Sequence, residues 1–164
     1  MERFETADTG VFWDVEDCEI QDGLNALMVS QNMRSALERL NYRGKVFIYA
    51  YGDSNQISDD INAHGDRNVV VKQTPNKFDY RALDNPAPTN IILVLGDNMS
   101  RRQEEFKNAL GQVNMLSYNI HFAYPQKSIC PSLPAVRVNW LWESLSLGGN
   151  PLSSVWEKEK EKFI

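Results

Sequence analysis

Acidic residues that follow the first apolar segment are the part of this sequence best suited to chemistry. An apolar run ends at Asp14, and Glu16, Asp17 and Glu19 follow it within five residues. Carboxylates this close together repel one another unless a cation neutralises them. Carboxylate oxygens are the ligands that Mg²⁺ and Mn²⁺ prefer, and such an ion could orient a phosphodiester and activate a water molecule.

Two further acids occupy the same place relative to an apolar segment. Asp53 ends the run KVFIYAYGD, and Asp97 ends the run NIILVLGD. The carboxyl ends of parallel strands meet at one edge of a sheet, where α/β proteins bind their ligands. The pattern therefore predicts Asp14, Asp53 and Asp97 at one edge. A structural role stays open as well, because Asp at a strand end often caps the following helix or turn.

Strands must position these acids, and the hydrophobic pattern predicts five of them, at residues 11–15, 45–53, 68–73, 90–97 and 118–125. Helices are predicted at residues 21–40, 55–63 and 100–113, with Gly44 as the left-handed residue after the first. Strands that alternate with helices predict an α/β fold with a mostly parallel central sheet of about five strands. The segment VNWLWESLSLGG fits either a helix or a strand, and residues 150–164 are predicted to form a charged tail.

Composition narrows the class of protein. The 164 residues carry a net charge of -5, whereas proteins that bind RNA mainly by neutralising phosphates are usually basic. Cys18 and Cys130 match no metal or redox spacing, which is typical of a reduced compartment. No apolar run reaches the length of about 18 residues that a membrane span needs. We expect an intracellular protein, cytoplasmic or nuclear, that is neither secreted nor bound to a membrane.

Basic side chains lie close in sequence to the predicted acidic edge. Arg101 and Arg102 begin the helix after Asp97, and Lys72 and Lys77 approach the same edge. These four residues could contact the backbone of single-stranded RNA. They could equally be solvated surface charges, which is the commoner role of basic pairs.

The tryptophans near the C-terminus favour a surface role. Trp140 and Trp142 are two residues apart, a spacing at which neither a strand face nor a helix stripe accommodates both. We therefore expect one of them to be exposed, where it could bind a protein partner. A segment that simply covers the sheet explains the same residues equally well.

Other chemistries have weaker support in the sequence. Glycoside hydrolysis needs two carboxylates on either side of a sugar, and no pair stands out. Neither a GxGxxG nor a Walker A loop follows a strand, so no organic cofactor is expected. His64 and His121 are the two histidines, and we expect both to be structural rather than catalytic.

Four segments carry a resemblance to a known protein family: VFWDVEDC, AYGD, ALDNPAP and ILVLGD. With them the sequence resembles the NYN domains of the meiosis-arrest-female (limkain-type) family, especially its plant members. The resemblance extends from Gly10 to about Gly149 and implies a single NYN domain over residues 1–164. It also implies a PIN-like, Rossmann-like fold of three layers. Proteins of this family are regarded as metal-dependent ribonucleases or as RNA-regulatory modules that control gene expression.

The sequence departs from that family at the positions that matter for a metal site. Asp14, Glu16 and Asp97 match acidic positions, but Asp17 replaces the usual Asn, and Lys77 replaces an acid. Met99 stands where the family has a second Asp after the fourth strand, and only Asp79 could substitute nearby. A thioether is a soft ligand that Mg²⁺ does not favour. The resemblance therefore implies a partly eroded metal site.

Two functional hypotheses follow from this comparison. The first is a binding or scaffolding module of RNA regulation that holds Mg²⁺ or Mn²⁺ weakly and has weak or no nuclease activity. The second is an active Mg²⁺- or Mn²⁺-dependent endoribonuclease that cleaves single-stranded RNA. Asp14, Asp17 and Asp97 would be its catalytic residues, with Glu16 as a further metal ligand, since Mg²⁺ needs only one or two carboxylates besides water and phosphate.

Overall fold

The structure is a computed structural model, and it describes residues 2–51, 69–74, 89–96, 118–128 and 136–152. These residues contain the strands β1 (Thr9–Asp14), β2 (Val46–Tyr51), β3 (Val69–Thr74), β4 (Thr89–Val94), β5 (Tyr118–Tyr124) and β6 (Val136–Leu141). They also contain the helices α1 (Glu2–Glu5), α2 (Ala26–Arg39) and α3 (Trp142–Leu145). None of the described helices has the length and apolar character needed to cross a membrane.

The strands form one sheet in the order β3-β2-β1-β4-β5-β6, and every neighbouring pair is parallel. The predicted α/β fold with a parallel sheet is confirmed. The sheet has six strands, one more than the sequence predicts. The segment that fits either a helix or a strand contains both, since it includes the end of β6 and all of α3. Chain order reverses between β1 and β4, and in sheets of this kind ligands bind in the crevice at such a reversal.

Helix α2 covers one face of this sheet. Asn25 caps it by accepting the N–H of Met28 at 2.8 Å, which satisfies a backbone donor that the first turn leaves unpaired. Val29, Met33 and Leu37 recur every fourth residue on the buried face of α2, in the same core cluster as side chains of β1 and β2. The predicted start near residue 21 is too early, because Gly23 has a φ of 86°, outside the helical region.

Asn41 and Gly44 have different roles in the turn after α2. Asn41 takes the left-handed conformation after α2, with a φ of 68°, so the prediction that Gly44 does so is wrong. Asn tolerates this conformation better than most residues with a side chain. Gly44 is required for a different reason, since a Cβ atom there would lie 2.1 Å from the carbonyl oxygen of Ala7.

Both tryptophans at the junction of β6 and α3 are buried, so the expectation that one of them is exposed is wrong. Trp140 has no exposed surface, and Trp142 is 2% exposed. The chain changes from strand to helix between them, so the spacing rule of a single element does not apply. Trp142 packs against Trp13 with ring centroids 5.2 Å apart, and its indole N–H donates to the Glu19 carbonyl. These side chains cannot form an exposed aromatic surface.

A buried polar network begins at the amino ends of β4 and β5 and extends to Trp140, near the carboxyl end of β6. Asn119 donates from its amide nitrogen to the Asn90 side-chain oxygen at 3.0 Å and to the Tyr42 hydroxyl at 2.8 Å. Trp140 donates from Nε1 to Nδ1 of His121 at 3.0 Å. An indole N–H can only donate, so Nδ1 of His121 must accept and the ring must be neutral. His121 therefore has the structural role that the sequence predicts.

Beyond α3 the chain returns to the sheet. Leu152 donates its backbone N–H to the carbonyl oxygen of Asn139 at 2.8 Å, which places this segment beside β6. Strand β6 is the last strand of the described sheet, and a last strand presents unpaired backbone groups unless something covers them. Leu152 thus satisfies one carbonyl along that strand.

Candidate functional site

The candidate site begins where β1 ends, at Asp14. One oxygen of its carboxylate, Oδ1, accepts the backbone N–H of Glu16 at 3.0 Å and that of Asp17 at 3.3 Å. Its carbonyl oxygen accepts the N–H of Cys18 at 3.0 Å, which closes a tight turn. The carbonyl of Cys18 in turn accepts the indole N–H of Trp13 at 2.8 Å. Asp14 therefore shapes the turn that carries the other acids.

The electrostatic surroundings of Asp14 favour its neutral form. Burial raises the pKa of this carboxyl above its ordinary value. The negative charges of Asp17 and Glu16 raise its pKa further, while the two backbone N–H groups lower it only in part. A carboxylate in this position is stabilised by a cation, because a positive charge would offset both the burial and the repulsion.

Asp17 brings a second carboxylate to the crevice between β1 and β4. A Cβ atom built on Gly96, just beyond β4, would lie 2.5 Å from the Asp17 Cβ and 3.0 Å from both Cγ and Oδ2. The side chain of Asp17 therefore lies across the end of β4, against the residue that precedes Asp97 in the chain. Asp14 and Asp17 thus both lie at this edge of the sheet, whereas the predicted meeting of Asp14 with Asp53 and Asp97 stays a prediction, because the latter two lie outside the described residues.

The remaining predicted site residues are placed differently. Glu16 is exposed, and it contributes its backbone N–H to Asp14. Lys72 lies in β3, whose pairing with β2 places it two strands from β1 at the level of Phe12. The others lie outside the described residues: Asp53, Lys77, Asp79, Asp97, Met99, Arg101 and Arg102. Among the described residues no group of three or more His, Cys, Asp or Glu side chains could hold a metal ion.

An open pocket of about 500 Å³ adjoins the acidic turn. Among the described residues, its charged lining consists of four acids and one base: Asp17, Glu19, Asp22, Glu143 and Lys127. Such a lining repels phosphate and attracts positive charge. The sequence analysis missed Lys127 and Glu143, although both follow strands of the sheet and therefore lie at the same edge as Asp14.

Hydrogen bonds join the walls of this pocket. The carboxylate of Glu143 accepts the backbone N–H of Gln126 through both oxygens, at 3.1 and 3.2 Å. Gln21 donates from its side-chain amide to the carbonyl oxygen of Glu143 at 3.1 Å. The segments that follow β1, β5 and β6 are thus tied to one another, which fixes the pocket beside the crevice.

The donors at the crevice fit a hard divalent cation in their chemistry. Asp14 and Asp17 offer carboxylate oxygens, which suit Mg²⁺ and Mn²⁺. Nearby Cys18 does not compete for such an ion, since it is fully buried and its burial raises the thiol pKa, which keeps the sulfur protonated. The crevice is therefore suited to oxygen ligation rather than thiolate ligation.

Comparison with protein-family models matches the NYN domain over residues 8–137. The comparison with curated proteins gives no match. The matched residues include β1 through β5, the acidic turn after β1 and Gly96 at the end of β4. NYN domains are nuclease-like and related to RNA. Because the match spans most of the chain and both sides of the crevice, the chain belongs to the NYN domain family.

Proposed function

We propose that this NYN domain is a binding or scaffolding module of RNA regulation, with a partly eroded metal site and weak or no nuclease activity. The observation that best supports the proposal is the hydrogen bonding of Asp14. Its Oδ1 atom accepts two backbone N–H groups of its own turn, so part of the carboxylate is already used structurally. An oxygen has two lone pairs, and each one used in this way is lost to a metal ion.

Sequence departures support the same proposal. We assign the chain to the meiosis-arrest-female (limkain-type) branch, with a plant-like sequence, and Lys77 and Met99 replace acids that this branch carries. An ammonium group would neutralise the crevice without a metal ion, and a thioether would not bind Mg²⁺. Both residues lie outside the described part of the chain, and their effect is proposed from their chemistry alone.

A divalent ion retained in the crevice would be held by Asp14 and Asp17, together with Asp97. When bound, Mg²⁺ or Mn²⁺ supplies charge stabilisation at a phosphate and lowers the pKa of an attacking water. Single-stranded RNA would contact the rim through Lys72, Lys77, Arg101 and Arg102. We place this activity in the cytoplasm or the nucleus.

RNA binding and Mn²⁺ binding test the proposal when they are measured separately. Asp14→Asn is the informative variant, because the amide oxygen can still accept the two N–H groups while the negative charge is removed. We expect fluorescence anisotropy to detect binding of single-stranded RNA by the wild-type chain and the variant alike, in EDTA. Calorimetry should show Mn²⁺ binding only in the millimolar range, and it should weaken further in the variant.

Glu38→Gln is a matched control for the loss of one negative charge. Glu38 lies on α2, where it pairs with Arg34 at 3.3 Å, so both binding measurements should stay at their wild-type values. Cleavage of single-stranded RNA by the wild-type chain, lost in Asp14→Asn and kept in Glu38→Gln, would overturn the scaffolding proposal. So would failure to bind RNA at low salt.

The second candidate is an active Mg²⁺- or Mn²⁺-dependent endoribonuclease, and the contact between Asp17 and Gly96 favours it. That contact brings an additional carboxylate to the end of β4, where it could replace a lost ligand. If this candidate is correct, Asp14→Asn and Asp17→Asn should each abolish cleavage of single-stranded RNA in Mn²⁺ without reducing RNA affinity in EDTA. Gel electrophoresis of a labelled RNA measures the cleavage.

A further inference from the structure

Gly96 lacks a side chain at the point where β4 meets the acidic turn. We propose that Gly96 is a positioning residue for Asp17, and that divalent-cation binding in the crevice depends on Gly96 because only a residue without Cβ lets the Asp17 carboxylate lie there. The contact that carries this inference is the 2.5 Å separation between a Cβ atom at position 96 and the Cβ of Asp17. Neither atom is the far end of a flexible side chain, so rotation alone cannot relieve the clash.

The turn that carries Asp17 is fixed in place. Its backbone N–H donates to Asp14 Oδ1 at 3.3 Å, and the next N–H, of Cys18, donates to the Asp14 carbonyl at 3.0 Å. The indole of Trp13, which is fully buried, holds the carbonyl of Cys18 from the other side. A Cβ atom on residue 96 could therefore be accommodated only by a shift of the backbone at this turn or at the end of β4, and either shift would move the Asp17 carboxylate relative to the crevice.

The end of β4 is fixed as well. Leu95 donates its backbone N–H to the carbonyl oxygen of Ala123 at 3.0 Å, which extends the pairing of β4 with β5 by one residue. Leu95 is 3% exposed, and Gly96 is also buried. The turn that carries Asp17 and the end of β4 are thus both held in place. Because Gly96 has no Cβ atom, the Asp17 side chain can lie against the end of β4.

The position of Asp17 matters because Asp14 alone offers few oxygen atoms to an ion. Mg²⁺ and Mn²⁺ require oxygen ligands at about 2.0–2.2 Å in a nearly octahedral arrangement, so a displaced carboxylate loses its contribution. This inference rests on the proposed function in one respect, namely that the crevice binds a divalent cation weakly. It adds that the carboxylate replacing the family's Asn is held by a second residue across the crevice.

Mn²⁺ is the probe, and electron paramagnetic resonance of the free ion measures its dissociation constant without any RNA. We expect Gly96→Ala and Asp17→Asn each to weaken Mn²⁺ binding about tenfold, the lower range for residues that orient metal ligands. The double variant should bind no more weakly than Asp17→Asn alone, because both changes remove the same carboxylate. Gly149→Ala is the control, since its Cβ would approach Ser144 Oγ in a crowded site away from β4.

Asp17→Glu keeps the test decisive if Gly96→Ala fails to fold. It retains the charge and leaves Gly96 intact, but it moves the carboxylate by one methylene, so we again expect about tenfold weaker binding. Wild-type affinity in a folded Gly96→Ala variant, or in Asp17→Glu, would overturn the positioning role. Absence of Mn²⁺ binding by the wild-type chain at millimolar concentration would overturn the inference itself, whereas RNA binding in EDTA decides the proposed function independently.

Discussion

The two ends of the parallel sheet hold their polar groups in different ways. At the carboxyl end, Asp14 and Asp17 are ionisable, partly buried and joined by hydrogen bonds within a single turn. In the amino-terminal half, the polar groups are neutral and buried, and their hydrogen bonds join residues far apart in the chain. Asn90, for example, donates to the carbonyl of Phe4 at 2.9 Å and accepts from Asn119.

The two groups of polar residues are expected to have different roles, one in the stability of the fold and the other in binding. The buried network fixes the relative positions of α1, β4, β5, β6 and the turn after α2 that carries Tyr42, and removing one member leaves others unpaired. A cluster of like charges near solvent does the opposite, because it costs stability until a cation arrives. We therefore expect substitutions in the buried network to change unfolding, and substitutions in the acidic turn to change binding.

The largest effect is expected for Trp140→Ala. This change removes a fully buried side chain and leaves Nδ1 of His121 without its donor, so the free energy of unfolding should fall by about 3–5 kcal/mol. Urea unfolding measured by circular dichroism tests it. Leu147→Ala is the control, because Leu147 is 60% exposed and should change stability by less than about 0.5 kcal/mol. A loss below about 1 kcal/mol for Trp140→Ala would contradict the structural role of the buried network.

An effect of intermediate size on the free energy of unfolding is expected when the pH is lowered. Burial, with a smaller contribution from the positive charge of Arg137, lowers the pKa of His121 from 6.5 to about 3. Below pH 6.5 the His121 ring is protonated in the unfolded chain but not in the folded chain. The free energy of unfolding should therefore fall as the pH decreases from 6.5 towards 3. Between pH 7 and 5.5 the loss of stability amounts to about 1.3 kcal/mol. Urea midpoints across this range give the slope.

His121→Gln identifies the source of that pH dependence. The Gln side-chain oxygen can still accept from an indole N–H, but it does not titrate, so the slope between pH 7 and 5.5 should nearly vanish. An unchanged slope in His121→Gln would show that the ring is not the group that titrates.

The smallest effect is expected for Asp14→Asn, and its sign is opposite. Since burial and neighbouring acids raise the pKa of Asp14, its charged form destabilises the fold at pH 7, and the fold gains stability as the pH falls through that raised pKa. Removing the charge should add roughly a few tenths of a kcal/mol at pH 7, a value limited by solvent screening. Thermal unfolding measures it, with Glu38→Gln as the control, because Glu38 lies on α2 and pairs with Arg34 rather than with the acidic turn. A loss above about 1 kcal/mol would make Asp14 a stabilising residue and end the contrast.

The strands were predictable because their apolar runs are long and end in acids or turns. Predicted and observed bounds of β1 and β5 differ by at most two residues, and parallel pairing of β1 with β4 brings the turn after β1 to the end of β4, where Asp17 meets Gly96. The break between β6 and α3 was not predictable, because both parts are apolar and no Gly or Pro separates them.

Contacts between residues distant in the chain could not be predicted from the sequence either. Gly96 looks like one residue of a strand-end motif, and its function depends on Asp17, which is distant in the chain and close only after β1 and β4 pair. The same holds for Gly44, whose constraint comes from the backbone of Ala7. Local turn preferences predict a glycine, but they do not identify the atom that it must avoid.

The backbone bond from Leu152 to Asn139 bears on how this protein can be shortened for expression. The family match stops at residue 137, inside β6, while Trp140, Trp142 and Leu145 beyond it are fully or almost fully buried. A fragment ending at that boundary would lose part of its core and offer the bare edge of β5 to other copies, a common cause of aggregation. A shortened version should therefore retain the chain at least through residue 152, whose backbone N–H bonds to β6.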